Sequence, residues 1–208
     1  MSNPSLNSLL LLLSAPSGGG KTTVTAEILA SDPNTVRAVT CTTRGPRDGE
    51  QEGIDYYFLG PADFLKRVQA GHFLEHATVY GNSYGTLKSE VLGRLRQGKD
   101  VLLNVDVEGA AAIREKAAAD PELARALVTV FLTPPSLSVL EERLRRRGKD
   151  SAGAIQKRLS VARQEIAQWK HFDYLILSQS VPEDLQRMRS ILAAERMRNF
   201  RVQPPLVD

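Results

Sequence analysis

The sequence predicts an α/β fold, a parallel sheet with helices on both faces, and three observations carry that prediction. Short apolar runs recur at residues 9–13, 101–106, 127–132 and 173–177. Stretches of helical texture stand around and between them, at 21–30, 89–97, 137–147, 154–169 and 182–200. A glycine-rich turn joins the first run to the first helix. Buried strands separated by helices form a parallel sheet covered on both sides. Ligands of such sheets sit at the carboxyl ends of the strands, so Lys21, Asp106, Pro134 and Ser178 are expected along one edge.

Each element follows from its residues. Met1 to Ser8 is a polar start. Residues 9–13 are all leucine, which reads as a strand buried on both faces. The helix at 21–30 stops near Asp32-Pro33, because proline cannot continue it. From residue 36 to 84 the texture changes to β-like pieces at 37–42, 56–59 and 73–79, among turns such as Gly45-Pro46 and Asp48-Gly49. A short helix is expected at 61–70. This stretch reads as a small inserted subdomain containing its own sheet. The third apolar run ends at Thr133-Pro134-Pro135, and the helix after it is laden with arginine. A flexible break at 149–153 precedes the next helix.

Between the first strand and its helix lies Ala15-Pro16-Ser17-Gly18-Gly19-Gly20-Lys21-Thr22, which reads as a P-loop. Glycines let backbone N–H groups curl around an anion, and the helix N-terminus adds unpaired donors and partial positive charge. Lys21 would reach the β- and γ-phosphates, and the Thr22 hydroxyl would ligate Mg²⁺. Ala15 stands where the general pattern has its first glycine. The phosphate-binding segment is read as residues Ala15, Pro16, Ser17, Gly18, Gly19, Gly20, Lys21, Thr22 and Thr23.

Composition bounds what else the chain can be. It has 208 residues, enough for one α/β domain with a core and insertions, and its 27 basic against 24 acidic side chains leave a net charge of +3. That balance does not imply nucleic acid, and no stacking platform or basic stripe points there. A lone Cys41 excludes an internal disulfide. The first apolar run is too short to cross a bilayer, and a secretion signal's basic start is missing. The expectation is a cytoplasmic protein without membrane contact, monomeric or homo-oligomeric. His72, His76 and His171 form no metal-binding pattern.

Downstream of the P-loop come Thr40-Cys41-Thr42-Thr43-Arg44-Gly45-Pro46-Arg47, Gly53-Ile54-Asp55-Tyr56, Glu75, Gly81-Asn82-Ser83-Tyr84-Gly85-Thr86 and Asp106-Val107-Glu108-Gly109. Taken singly these are ordinary: an arginine pair is usually solvated, and a lone tyrosine usually packs. In this order behind a P-loop, the chain resembles the guanylate kinase family, over nearly its whole length.

The resemblance implies a P-loop NTPase fold: a five-stranded parallel core (residues 9–36, 87–134 and 169–208), a mixed-β GMP-binding subdomain (37–86) and a helical lid (135–168). It implies ATP + GMP ⇌ ADP + GDP, with Mg²⁺ accompanying ATP and dGMP as a further acceptor. Arg44, Arg47, Tyr56 and Tyr84 would bind the acceptor phosphate, and Thr40, Glu75, Thr86 and Asp106 the guanine. Guanine offers an O6 acceptor beside N–H donors, which hydroxyls and carboxylates complement. Lid arginines Arg143, Arg147 and Arg158 match positions that approach the triphosphate. Arg143 and Arg147 are four apart and share a helix face, whereas Arg145 and Arg146 have no match and read as solvated charge. Lys21, Arg44, Arg47, Arg143, Arg147 and Arg158 form the expected catalytic set, acting by positioning and charge neutralisation. Two departures stand out. Asn104 replaces an acidic residue expected near the metal, and Ser178-Gln179-Ser180 replaces an Asn-Asp type sequence beside the adenine. The alternatives are a P-loop kinase for another acceptor and a catalytically silent module that binds phosphorylated partners.

Overall fold

The computed structural model describes residues 7–148 and 150–202. The first six residues, Lys149 and the last six lie outside the described residues, so most of the polar start and part of the expected break at 149–153 do too. The main sheet has five parallel strands, β1 (Leu10–Ser14), β2 (Thr35–Arg37), β7 (Asp100–Asn104), β8 (Leu127–Thr133) and β9 (Tyr174–Leu177), in the order β2-β7-β1-β8-β9. Strand β1 is central and wholly buried, pairing Leu10 with Val101 on one side and with Leu127 on the other.

Alternation along β1 divides the core. Leu10 and Leu12 pack with α3 (Lys88–Arg96), α4 (Val107–Ala118) and α5 (Pro121–Ala126) through Val91, Leu95, Ala110, Ile113 and Leu123. Leu11 and Leu13 face α1 (Lys21–Ser31) and α8 (Val181–Arg196) through Val24, Ile28, Met188 and Leu192. Burying both faces explains why β1 carries four successive leucines rather than an alternating pattern. Among the described residues no helix is long and apolar enough to cross a membrane.

A second sheet of four strands, order β4-β3-β6-β5, is formed by β3 (Thr40–Thr42), β4 (Tyr56–Phe58), β5 (Phe73–Val79) and β6 (Asn82–Leu87). It is mixed: β3 and β4 run parallel, and β6 is antiparallel to both β3 and β5. Helix α2 (Pro61–Gln69) closes it, with Phe64 stacked on Phe73 at 4.5 Å between ring centroids. Helices α6 (Leu137–Arg147) and α7 (Ala152–Ile166) form a pair with a small core of Leu140, Leu144, Ile155 and Ala162.

Several elements differ from expectation. The β-piece at 37–42 is two strands in two sheets, because the buried Ala38-Val39 carries the chain from the main-sheet edge into the second sheet. Strand β6, polar and glycine-containing, reads locally as a turn. Its pairing comes from β5, and Gly85 is required because a Cβ there would stand 2.9 Å from the Phe73 ring. Helices α4 and α5 follow alanine-rich segments without a clear apolar stripe. Their starts are set by side-chain caps, Asp106 accepting from the Gly109 N–H and Asp120 from those of Glu122 and Leu123. The closing helix ends at Arg196 rather than residue 200.

The ends of the main sheet are tied by charge. Asp100 is 2% exposed; its Oδ1 accepts the Leu9 N–H at 2.7 Å, and its Oδ2 accepts from the Arg196 guanidinium, which also pairs with Asp32. Asp100→Ala leaves the buried Leu9 N–H without its acceptor, while Arg196 keeps Asp32; it is expected to cost about 1–3 kcal/mol, read as a lowered midpoint in urea unfolding. A midpoint unchanged from wild type would contradict this role.

Candidate active site

The first cavity opens where β1 ends. It measures about 780 Å³ and is lined by every residue from Ala15 to Val24, with Asp106, Arg143, Arg146, Arg147, Glu165 and the 178–181 loop. The loop turns on a left-handed Gly18 (φ 92°), and a Cβ there would lie 2.8 Å from Leu144 of α6. Ala15 needs no glycine: it is buried against the main core, and no positive φ is required of it. Lys21 Nζ donates to the Val105 carbonyl at 2.9 Å. Burial holds the Lys21 ammonium below its usual pKa, while the carboxylates of Asp106 and Glu165 act in the opposite direction.

Arginines close the other wall. Arg143 donates through Nη1 to Ser178 Oγ at 2.9 Å, and through Nη2 to the carbonyls of Ser178 and Gln179 at 3.1 and 3.2 Å. Ser178 Oγ in turn donates to the buried Asp184 at 2.6 Å. Ser178-Gln179-Ser180 is therefore a braced segment tying α6 to the start of α8. Arg158 on α7 points its Nη1 at Ser17 Oγ, 3.4 Å away, and pairs with Asp150.

A second cavity of about 380 Å³ lies between the two sheets, lined by Thr40, Tyr56, Glu75, Tyr84, Thr86 and Asp106, with Arg37, Thr25 and Asn104. Glu75 Oε1 accepts the Thr86 hydroxyl proton at 2.6 Å. Burial pushes the Glu75 carboxyl up, the Thr86 hydroxyl pulls it back, and the Asp106 charge adds to the rise. Arg44 lies beside Tyr56, its guanidinium carbon 5.5 Å from the ring centroid, forked onto Glu50 with both nitrogen–oxygen distances 2.9 Å. Its Nε is buried without a partner. Asp106 lines both cavities.

Comparison with known proteins adds an independent line. The guanylate kinase family model matches residues 7–195. The chain is 44% identical over 200 residues to the guanylate kinase of Novosphingobium aromaticivorans, covering 96% of this chain and 87% of that one. It is 42% identical to that of Maricaulis maris, covering 93% and 86%. The crystal structure of guanylate kinase from Anaplasma phagocytophilum superposes with a TM-score of 0.68 at 34% identity, covering 93% of this chain and 89% of that chain. The chain belongs to the guanylate kinase family.

Against the positions expected for a guanylate kinase, the structure brings together Ala15 to Thr23, Arg143 and Arg147 on one side, and Thr40, Tyr56, Glu75, Tyr84, Thr86 and Asp106 on the other. Arg158 stands at Ser17, and Arg44 beside Tyr56 without lining the cavity. Arg47 is not brought in: its side chain is exposed, and its backbone is engaged with Glu50, the N–H donating to the Glu50 carboxylate and the carbonyl accepting the Glu50 N–H. Asn104 lines the cavity between the sheets, and its Oδ1 accepts from Thr25 Oγ1 on α1 at 2.7 Å. The amide thus serves a strand-to-helix contact.

Arg146 is exposed, as its position suggests, and also borders the P-loop cavity, whereas Arg145 pairs with Glu141 on the helix surface. The sequence reading also missed Arg37, Glu50 and Glu165. For Glu165 a signal existed, since it follows Arg158 by seven residues and so shares its helix face. Arg37 and Glu50 carried none, because their places depend on how the two sheets meet.

Proposed function

We propose that this guanylate kinase family member transfers the γ-phosphoryl group of ATP to GMP, giving ADP and GDP. The observation that carries the reading is the junction of two chemically distinct cavities at Asp106. One has the donors of a phosphate cradle. The other has the paired Glu75 and Thr86, with Thr40 and Asp106, as acceptors for the N1 and N2 protons of guanine and hydroxyl donors for its O6. Adenine reverses that edge and would leave a buried carboxylate facing an acceptor, a mismatch of roughly 1–3 kcal/mol or more.

The attacking oxygen of the GMP phosphate is already ionised at neutral pH, so catalysis needs placement and neutralisation rather than a base. Lys21, Arg143, Arg147 and Arg158 would balance charge on the transferring group. Arg44, with a spare buried Nε, would hold the acceptor phosphate beside Tyr56 and Tyr84, and Arg47 would join as the second sheet closes over GMP. We read residues 37–86 as the acceptor subdomain and 135–168 as the lid whose closure excludes water.

Mg²⁺ fits this chain as a companion of ATP. The described residues contain no cluster of three or more His, Cys, Asp or Glu able to hold a metal alone, and Thr22 offers one exposed hydroxyl in the cradle. An ion that keeps several waters and leans on substrate phosphates suits that donor set. When bound it supplies charge neutralisation for the phosphates.

A coupled ADP-release assay over GMP, dGMP, AMP, UMP and TMP tests the assignment. Turnover is expected with GMP and dGMP, and at least about a hundredfold less with AMP. Activity confined to AMP or a pyrimidine nucleotide would overturn the reading.

A further inference from the structure

Glu165 faces the P-loop cavity and has no part in the reading above. It lies on α7, and its helix face looks at Ser17, toward which Arg158 already points. Glu165 Oε2 is shut off from solvent and has no hydrogen-bond partner. Leaving a buried carboxylate oxygen unpaired is costly, so each such group calls for a reason. Burial pushes the Glu165 carboxyl up and the Asp106 charge adds to the rise, while the Ser17 N–H and the Lys21 ammonium pull it back. Arg143, Arg146 and Arg147 line the same cavity. These are donors suited to phosphate, and Glu165 is an anion that the chain itself places among them.

We propose that Glu165 is a built-in stand-in for the donor's phosphates: its carboxylate sits in the electropositive cradle of the free protein, and a nucleotide must displace it to bind. The inference rests on the reading of this cavity as the donor site. Two consequences follow. The empty cradle carries its own counter-charge, so Lys21 and the arginines do not face each other uncompensated. The returning carboxylate also competes with ADP, which weakens binding and speeds product departure.

Glu165→Gln keeps the shape and removes the charge. Calorimetry of ADP binding in EDTA should show the variant binding about three- to tenfold more tightly than wild type. In steady state, KM for ATP and kcat should fall together, the reverse of losing a binding contact. Glu165→Asp, which keeps the charge on a shorter stem, should return both parameters toward wild type. Equal or weaker ADP binding by Glu165→Gln overturns the stand-in. Lys21→Ala, measured alongside, separates the two readings. If it weakens ADP while Glu165→Gln has no effect, only the stand-in fails; if it leaves ADP binding untouched, the donor site itself is misassigned.

Discussion

Lys21→Ala is expected to lower kcat/KM by about a thousandfold or more while the far-ultraviolet circular dichroism and the melting temperature stay near wild type. The two halves have different causes. Lys21 is the ammonium that enters the phosphate cradle from the first turn of α1, and its Nζ is anchored on the Val105 carbonyl. A fixed charge aimed at developing phosphate charge acts in the transition state more than in the ground state. The fold loses little, because burial already works against the charged form of Lys21, so removal relieves a desolvation cost as it deletes one hydrogen bond. A coupled assay and a thermal melt read both halves. Near-normal turnover would refute the phosphate role, and a collapsed melt would show Lys21 to be structural.

Glu75→Gln should raise KM for GMP by about ten- to a hundredfold, the loss of a charge-assisted contact, and at the same time make the protein more stable. The sign follows from the direction of the shift. Burial raises the folded-state pKa of Glu75 above its ordinary 4.5, so the folded protein holds that proton more tightly than the unfolded chain does. Stability is therefore lost as pH rises from 4.5 through the folded value, and above it the whole cost of a buried charge is present. The variant escapes that cost, with a melting temperature about 2–4 °C higher per kcal/mol recovered. The gap should close below pH 4.5, where both states of wild type are protonated. Melts across pH 4 to 8 would show it; a gap independent of pH would mean that the charge is not what destabilises. Such a residue would be kept for recognition at the expense of stability.

How far the chain could be read ahead of its structure depends on where each signal resides. The leucine run, the P-loop and the capped or arginine-rich helices declare themselves locally, and β1, α1 and α6 stand where their residues place them. Strand β6 does not, because Asn82, Ser83 and Gly85 become a strand only when β5 pairs with them. The division of 37–42 between two sheets is likewise a matter of partners: Val36 pairs with Val101, while Cys41 pairs with Tyr57 and Gly85. Alanine-rich α4 lacks the apolar stripe that marks a helix in sequence, and its cap at Asp106 doubles as a site residue.

The same limit governs the site. The ordered motif set brings Glu75 and Thr86 into contact across neighbouring strands, as a register of opposite residues requires. Asn104 could not be placed in that way. Side chains alternate along a strand, and its partner Thr25 lies on a helix distant in sequence. Arg146 follows Arg145 directly, yet one points to the cradle and the other to Glu141, a difference of a single helical step that composition does not resolve.

Asp106 belongs to both cavities and to neither alone, since it also fixes the first turn of α4 through the Gly109 N–H at 2.7 Å. One carboxylate thus borders two cavities and caps one helix. Whatever occupancy of one cavity does to its hydration or its rotamer is felt from the other. Thermodynamic linkage then makes the communication symmetric: the factor by which one nucleotide changes the affinity for the second equals the factor in the reverse direction. Coupling through a shared anion of this kind would change both affinities together and would by itself impose no order of arrival.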